Sequence, residues 1–196
     1  MFDPHSGYIV RMAKPTTARV ISSTIAYEGP LFSVSTDQVE EPGGLRTRRD
    51  VIRHAGSIVV LPVQGPARDP QILLERQYRY AAGQMMWELC AGRIDDGEKE
   101  LAAAKRELLE ETGYTARRWK KILHFYVSPG FLDETMSIYV ARDLKSGIAQ
   151  PEEDEKIAIQ FFPLSAAVKM VNSGLIRDAK TVAGVLWLAL NGRKSL

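Results

Sequence analysis

The most informative segment of the chain is residues 92–114, which read GRIDDGEKELAAAKRELLEETGY. At 100° per residue, a helix over 98–112 gathers four carboxylates into an arc of about 100°. They are Glu100, Glu107, Glu110 and Glu111. No lysine of the same helix shares that arc, and each pair of like charges three or four residues apart costs about 0.2 to 0.5 kcal/mol on an exposed helix. The pattern therefore predicts a cationic partner, and a divalent metal ion is the simplest one.

The other side of this helix is predicted to be apolar. It carries Leu101, Ala104, Leu108 and Leu109. We expect that side to pack on a core and the carboxylates to point toward solvent or a cleft. Because Mg²⁺ in proteins is held through a few carboxylates and substrate phosphate oxygens, the segment predicts metal-assisted phosphate chemistry. The alternative is an amphipathic helix with a solvated acidic face.

Length and composition favour one catalytic domain with an N-terminal extension. The chain has 196 residues, 45% of them hydrophobic, which is enough for one well-buried core. We expect residues 1–56 to form an arm and a small dimerising β-sheet extension, and residues 57–196 to form the catalytic domain. The lone Cys90 lies in an apolar run and is predicted to be a buried core thiol, which favours a reducing compartment.

Charge and hydropathy predict neither a nucleic-acid partner nor a membrane partner. The formal net charge is +2 and the basic residues are scattered along the chain. The amino terminus lacks a secretion signal, and no apolar stretch approaches the roughly 20 residues needed to span a bilayer. We expect a cytoplasmic protein.

The remaining secondary structure is predicted from hydrophobic periodicity and turn residues. Strands are predicted within 18–39, broken at Gly29-Pro30, then near 51–52 and over 57–63, 71–76, 121–127, 136–141 and 156–162. Helices are predicted over 164–173 and 180–190, and Gly113 is placed to end the central helix in the left-handed conformation. Strands on both sides of a central helix predict a mixed α/β sandwich.

The segment 92–114 resembles the Nudix box, G-x5-E-x7-R-E-U-x-E-E-x-G-U, where U is apolar or aromatic. Seven fixed residues stand at the correct spacing, which makes chance agreement very rare. They are Gly92, Glu98, Arg106, Glu107, Glu110, Glu111 and Gly113, with Leu108 and Tyr114 at the U positions. The resemblance implies the Nudix α-β-α sandwich with a mixed sheet, preceded here by an N-terminal β extension.

The same resemblance implies roles for the box residues. Glu107, Glu110 and Glu111 would hold Mg²⁺ or Mn²⁺, and the backbone carbonyl of Ala91 is similar to a ligand in relatives of the ADP-ribose branch. Arg106 precedes Glu110 by four residues, so we expect it to orient the carboxylates through charge-assisted hydrogen bonds. Glu110 and Arg106 are therefore placed in the catalytic group.

Three flanking segments resemble ADP-ribose pyrophosphatases. Gln77-Tyr78-Arg79 and Glu88-Leu89-Cys90-Ala91-Gly92 match the Q-x-R and E-L-x-A-G patterns, except that Cys90 stands where proline is common. Ser128–Glu134 matches S-P-G-F-x-D-E. Substrate contacts are expected from Tyr78, Arg79, Pro129, Gly130 and Phe131. For Tyr78 and Arg79 the alternative is an ordinary solvated strand end.

These features predict hydrolysis of a nucleoside diphosphate derivative, with ADP-ribose as the first choice of substrate and AMP and ribose 5-phosphate as products. The alternatives are other derivatives such as GDP-mannose, or a non-catalytic nucleotide-sensing module. A sensor would be expected to lose some box carboxylates or to carry a DNA-binding segment.

Two further expectations follow from the resemblance to ADP-ribose pyrophosphatases. The first is a homodimer that exchanges N-terminal strands, in which Arg53 offers a cation to the substrate; the alternative is a small sheet packed on its own chain. The second is a general base on the acidic loop 152–155, with Glu155 first and Glu152 and Glu153 behind it. The alternative for that loop is a solvated charge run.

Overall fold

The computed structural model describes residues 17–150 and 156–195, with side chains as far as residue 192. The described residues fall into two units, one ending at Arg53 and the other beginning at His54. Residues 1–16 of the expected N-terminal extension lie outside the described residues, and so does the acidic loop 152–155.

The first unit is a three-stranded antiparallel sheet in the order β1-β2-β3. Its strands are Arg19–Glu28, Ser33–Glu40 and Arg46–Arg53. The chain turns between β1 and β2 at Gly29-Pro30, where the break was expected, because proline fixes φ and cannot donate to a ladder. Every residue of β1 is exposed, whereas β2 alternates in burial along its length.

The second unit is built on a seven-stranded sheet. Its main path runs β10-β5-β4-β9-β8, with β6 paired to β5 and β7 paired to β4. The strands are β4 Ser57–Gln64, β5 Gln71–Arg79, β6 Gln84–Glu88, β7 Ala91–Arg93, β8 Tyr114–Tyr126, β9 Thr135–Ser146 and β10 Ala158–Pro163. β4 and β9 are parallel and the other pairs are antiparallel, so the sheet is mixed.

Helices cover both faces of this sheet. They are α1 Glu100–Thr112, α2 Leu164–Asn172 and α3 Ala179–Ser195. On β4, Ile58 and Val60 pack with Leu108 of α1, while Val59 and Leu61 pack with residues of α2 and α3. A strand buried on both faces reads as a continuous apolar run, which is the pattern of residues 57–63. The predicted α-β-α sandwich with a mixed sheet and an N-terminal β extension is confirmed.

Strand β8 is longer than the sequence predicted. It begins at Tyr114, immediately after α1, and pairs with β9 from Tyr114 opposite Ser146 to Tyr126 opposite Thr135. Gly113 adopts φ 71°, as expected, and turns the chain directly into the strand. The first half of β8 is rich in exposed basic residues, so hydrophobic periodicity could not reveal it. None of the described helices combines the length and apolar character needed to cross a bilayer.

Candidate active site

Helix α1 turns one of its carboxylates toward the sheet. Glu111 is only 6% exposed and shares the buried side with Ala104 and Leu108. Leu101 and Leu109 are each 38% exposed, so the expectation that both lie on the core face was wrong. The expectation that the carboxylates point away from the core was also wrong for Glu111. The small side chains of Ala103 and Ala104 let the helix lie close to the sheet. The buried Glu111 carboxylate accepts a hydrogen bond from the backbone of the neighbouring strand.

Two box carboxylates converge on the start of β7. The Oε2 atom of Glu111 accepts the N–H of Ala91 at 3.2 Å. The carboxylate of Glu107 lies directly against Gly92, where an added Cβ would overlap it. This close approach is the physical reason for glycine at residue 92. Oxygen donors gathered in this way beside the backbone of residue 91 fit a Mg²⁺ ion.

Arg106 connects three of the box carboxylates, Glu98, Glu107 and Glu110. Its Nη1 donates to Glu107 at 2.7 Å and to Glu110 at 3.1 Å. Its Nε and Nη2 bind Glu98 at 3.2 and 2.9 Å, and Nη2 also reaches the carbonyl of Arg93 at 3.1 Å. The hydrogen bonds to Glu98, followed by those to Glu107, raise the pKa of Arg106 despite some burial. The expected contact between Arg106 and Glu110 is present, and its role in catalysis stays a prediction.

Glu100 does not belong to this group, although it shares the acidic arc. It accepts hydrogen bonds from Lys121 at 2.7 Å, Tyr139 at 2.8 Å and Ser137 at 3.1 Å. Burial opposes its ionisation, but these donors outweigh burial and hold the pKa of Glu100 below its ordinary value. Glu100 thus ties α1 to β8 and β9. The helical arc alone could not show this because Lys121 comes from another element.

Arg79, expected to bind substrate, forms a fork with Glu88. Its Nε and Nη2 each donate to that carboxylate at 3.0 Å. Lys180 of α3 also donates to Glu88 and pairs with Asp178 at 3.0 Å. Burial would raise the pKa of Glu88, but Arg79 and Lys180 overcome it and the pKa lies below its ordinary value. The sequence pattern assigned no role to Glu88 or to Lys180, which are far apart in the chain.

Tyr78 and Arg79 are the last two residues of strand β5. Tyr78 is 54% exposed, and the charge of Glu111 contributes to the raised pKa of Arg79, after the Glu88 hydrogen bonds. These placements leave the expected substrate contacts of both residues as predictions.

Glu75 was missed by the sequence analysis. It lies on β5, is 3% exposed, and stands opposite Glu88 in the ladder between β5 and β6. Burial, followed by the charge of Glu111, raises the pKa of Glu75 well above its ordinary value. Burial and Glu111 act in the same way on the pKa of Cys90, which is buried as predicted. The available signal was a single acid within the apolar run of β5.

The loop between β8 and β9 carries three expected substrate contacts, Pro129, Gly130 and Phe131. Its tip is a turn in which the N–H of Phe131 reaches the carbonyl of Ser128 at 3.2 Å, and Phe131 is 54% exposed. A Cβ at Gly130 would meet no described atom within 4 Å. The base of the loop is fixed because Asp133 accepts the N–H of His54 at 2.9 Å. The structure defines the shape of this loop, and substrate contact stays a prediction.

Two predicted site residues remain, Arg53 and Glu155. Arg53 ends β3 in the first unit, where it donates to Asp37 and to Ser35. The hydrogen bond from Ser23 and the charge of Arg53 outweigh desolvation and lower the pKa of Asp37. Glu155 lies outside the described residues. The structure therefore brings together Arg106, Glu107, Glu110, Glu111 and the backbone of residue 91.

Several known proteins resemble this chain in sequence and fold. The NUDIX domain family model matches residues 53–183. An ADP-ribose pyrophosphatase of Bacillus subtilis is 32% identical over 179 residues, which cover 90% of this chain and 95% of that protein. A GDP-mannose pyrophosphatase of Salmonella paratyphi B is 35% identical over 147 residues, covering 70% and 75%.

A solved structure described as an ADP compounds hydrolase has the same fold. It superposes with a TM-score of 0.77 at 22% identity and covers 92% of this chain and 99% of its own. Together with the family match, these similarities confirm the resemblance that the box residues suggested. The chain therefore belongs to the Nudix hydrolase superfamily.

Proposed function

We propose that this protein hydrolyses the diphosphate bond of ADP-ribose to give AMP and ribose 5-phosphate, with Mg²⁺ or Mn²⁺ as cofactor. The observation that carries the proposal is the convergence of the Glu107 and Glu111 carboxylates on residues 91 and 92. Hard oxygen donors beside an arginine-bound acidic helix suit the binding of a cation and a diphosphate. All box carboxylates are retained, which argues against a non-catalytic sensor.

The proposed metal ligands are Glu107, Glu110, Glu111 and the carbonyl of Ala91. A bound divalent ion supplies charge neutralisation of the diphosphate and a more acidic water. Arg106 holds Glu107 and Glu110 through a single nitrogen, so its part is to keep the two carboxylates in place.

Substrate binding is assigned to Tyr78, Arg79, Pro129, Gly130, Phe131 and Arg53. The exposed rings of Tyr78 and Phe131 are suited to stacking on a base. Arg79 lies near Glu111 and is suited to a phosphate. Pro129 and Gly130 shape the loop that carries Phe131, and Arg53 supplies a second cation in the dimer proposed below.

A substrate panel tests the proposal. ADP-ribose, GDP-mannose, flavin and dinucleoside diphosphate compounds would be assayed with Mg²⁺ and with Mn²⁺, and the products separated by chromatography. We expect the highest kcat/KM for ADP-ribose, because the relative of that activity aligns over 90% of this chain, compared with 70% and 83% for two GDP-mannose relatives. A higher kcat/KM for GDP-mannose would show that the substrate assignment is wrong.

The general base is proposed to be Glu155, by resemblance to ADP-ribose pyrophosphatases. Replacement by glutamine should lower kcat by roughly 10² to 10⁴ with little change in KM, the range for loss of a general base. Glu152→Gln and Glu153→Gln are the matched controls. If one of them is inactive while Glu155→Gln is not, the base lies on this loop at another residue; if all three are active, it lies elsewhere.

A homodimer through the N-terminal sheet completes the proposal. Strand β1 exposes its whole length, including Ile25 at 60% and Tyr27 at 50%, and such apolar surface favours association with a second copy. Light scattering at micromolar concentration should give a dimer mass. Ile25→Lys should shift it toward the monomer, while Leu190→Lys, at an 85% exposed residue of α3, should not. An active wild-type monomer would refute the dimer.

A further inference from the structure

Three acidic groups from three elements meet beneath helix α1. They are Glu75 on β5, Cys90 between β6 and β7, and Glu111 on α1, and we call them the inner cluster. One ligand atom from each lies within 4.8 Å of the other two. All three residues are buried, at 3%, 1% and 6% exposure.

An independent observation shows that the inner cluster is electrostatically incomplete. The Oε1 atom of Glu75 is buried and has no hydrogen-bond partner among the described residues. A buried polar atom without a partner costs about 1 to 3 kcal/mol, and more when it is charged. Lys180, a nearby cation, is hydrogen-bonded to Glu88 and paired with Asp178. This oxygen of an inner-cluster residue is therefore buried without a hydrogen bond to any described cation.

We propose that the inner cluster is a binding site for a divalent transition-metal ion such as Zn²⁺ or Co²⁺. Its donors are a carboxylate oxygen of Glu75, the sulfur of Cys90 and a carboxylate oxygen of Glu111. Thiolate sulfur favours borderline or soft ions, whereas Mg²⁺ prefers oxygen donors only. The donor set therefore distinguishes this site from the proposed catalytic Mg²⁺ site, with which it shares only Glu111.

The geometry needs only a small closure to accept an ion. Ligands at about 2.0 to 2.3 Å from a tetrahedral metal lie about 3.3 to 3.8 Å apart. The three ligand atoms of the inner cluster already lie within 4.8 Å of one another. On binding, the Cys90 sulfur loses its proton to solvent and forms the metal–sulfur bond, while the carboxylates bind without redox change. Proline, the common family residue at this position, has no side-chain donor atom. Cys90 therefore gives this chain a metal ligand that a proline at residue 90 would not supply.

Cobalt spectroscopy tests the site directly. Full-length protein treated with a chelator and then freed of it would be titrated with Co²⁺, and the near-ultraviolet thiolate-to-cobalt charge-transfer band recorded. Because Cys90 is the only cysteine of the chain, any such band reports on this residue. We expect one equivalent of Co²⁺ to develop the band and Zn²⁺ to abolish it by displacement. A wild-type spectrum without the band at saturating Co²⁺ would overturn the proposal.

Variants separate the inner cluster from the catalytic site. Cys90→Ser should remove the band, and Glu75→Gln should weaken Co²⁺ binding by about 10-fold or more. Glu107→Gln is the control: it should retain the band, since Glu107 is not part of the inner cluster. A band that survives in Cys90→Ser would overturn the assignment, and the wild-type titration remains decisive if a variant does not fold.

The inner metal site and the proposed activity can fail separately. A protein that develops the band but does not hydrolyse ADP-ribose with Mg²⁺ keeps the inner site and loses the proposed function. A protein that hydrolyses ADP-ribose but develops no band keeps the proposed function and loses the inner site.

Discussion

Glu75 and Glu88 face each other across strands β5 and β6, and each is 3% exposed. Glu88 is bonded to Arg79 and Lys180, and its pKa is lowered because these cations outweigh burial. Glu75 has Glu111 as its strongest charged neighbour, and burial and that neighbour raise its pKa. Equal burial therefore does not define the role of a carboxylate; the charge of its partners does.

Glu88 and Glu75 are assigned different roles, the first in stability and the second in cation binding. The Glu88 side joins β5, β6 and α3 through charge-assisted hydrogen bonds, so it supports the fold. On the Glu75 side, Glu75 and Glu111 are two acidic groups close together in a buried place. Such an arrangement is unfavourable for folding and is typical of sites that bind cations. Four experiments test this contrast.

The largest effect is expected at Glu111. Glu111→Gln should lower kcat by more than about 10³, beyond the loss from one electrostatic donor in an active site, because it removes a proposed metal ligand. Its free energy of unfolding should not fall, since repulsion with Glu75 is relieved. Steady-state kinetics with Mg²⁺ and urea denaturation measure both quantities.

Glu100→Gln is the matched control on the same helix. It should keep kcat within a few-fold and lose stability, because it weakens the bonds to Lys121 and Tyr139. Near-normal turnover in Glu111→Gln would remove the distinction between the two carboxylates.

The next effect is on folding. Glu88→Gln should destabilise the protein by about 3 kcal/mol, because the 8% exposed Lys180 and Arg79 both lose their charge-assisted bonds to a buried carboxylate. Glu75→Gln should be neutral or stabilising in the same urea experiment with a chelator present. If both variants lose equal stability, Glu75 has a cationic partner that matches the one at Glu88.

The dependence on pH should differ in sign. Since the pKa of Glu88 is lowered, its stabilisation is present above the ordinary value of 4.5 and is lost as pH falls through the folded-state pKa. Since the pKa of Glu75 is raised, its unfolded form loses the proton first, and stability falls as pH rises above 4.5 until the folded-state pKa is reached.

Urea titrations across this range, with chelator present, would compare wild type with each glutamine variant. The wild type should lose its excess free energy of unfolding over Glu88→Gln as the pH falls. The excess free energy of unfolding of Glu75→Gln over wild type should grow as the pH rises above 4.5. Each slope is at most about 1.4 kcal/mol per pH unit. Parallel curves for all three proteins would contradict the assigned shifts.

The smallest effect is expected for an exposed copy of the Arg79–Glu88 fork. Arg118 binds Asp143 with nearly the same geometry, at 2.8 and 3.0 Å, but on the surface, where ion pairs contribute little. Asp143→Asn should leave the urea midpoint unchanged within error, and asparagine tolerates the positive φ of 56° at this residue. A loss comparable to that of Glu88→Gln would show that geometry, rather than burial, sets the strength of the fork.

The sequence predicted much of this arrangement where the signal is local. The spacing of residues 92–114 predicted helix α1, its end at Gly113 and the grouping of carboxylates along the helix. Continuous apolar runs predicted β4 and part of β5. These features depend on neighbours a few residues apart, which periodicity can detect.

Contacts between distant segments could not be predicted in this way. Lys180 and Glu88 are 92 residues apart, and Lys121 reaches Glu100 from another strand. The helical pattern includes only the charges of helix α1. It therefore gave no sign that Glu100 pairs with a lysine from another strand. The burial of Glu75 depends on how α1 packs on the sheet, and local sequence periodicity does not predict this packing.

Strand β4 offers a direct measure of the stability of the second unit. It has partners on both edges, with β9 pairing along Ser57–Pro62, β7 along its first half and β5 at its end, and its side chains enter both cores. Its amide hydrogens can therefore exchange with solvent only when the whole unit unfolds. The slowest exchange rates of β4 would give the free energy of global unfolding in buffer, without denaturant and without extrapolation.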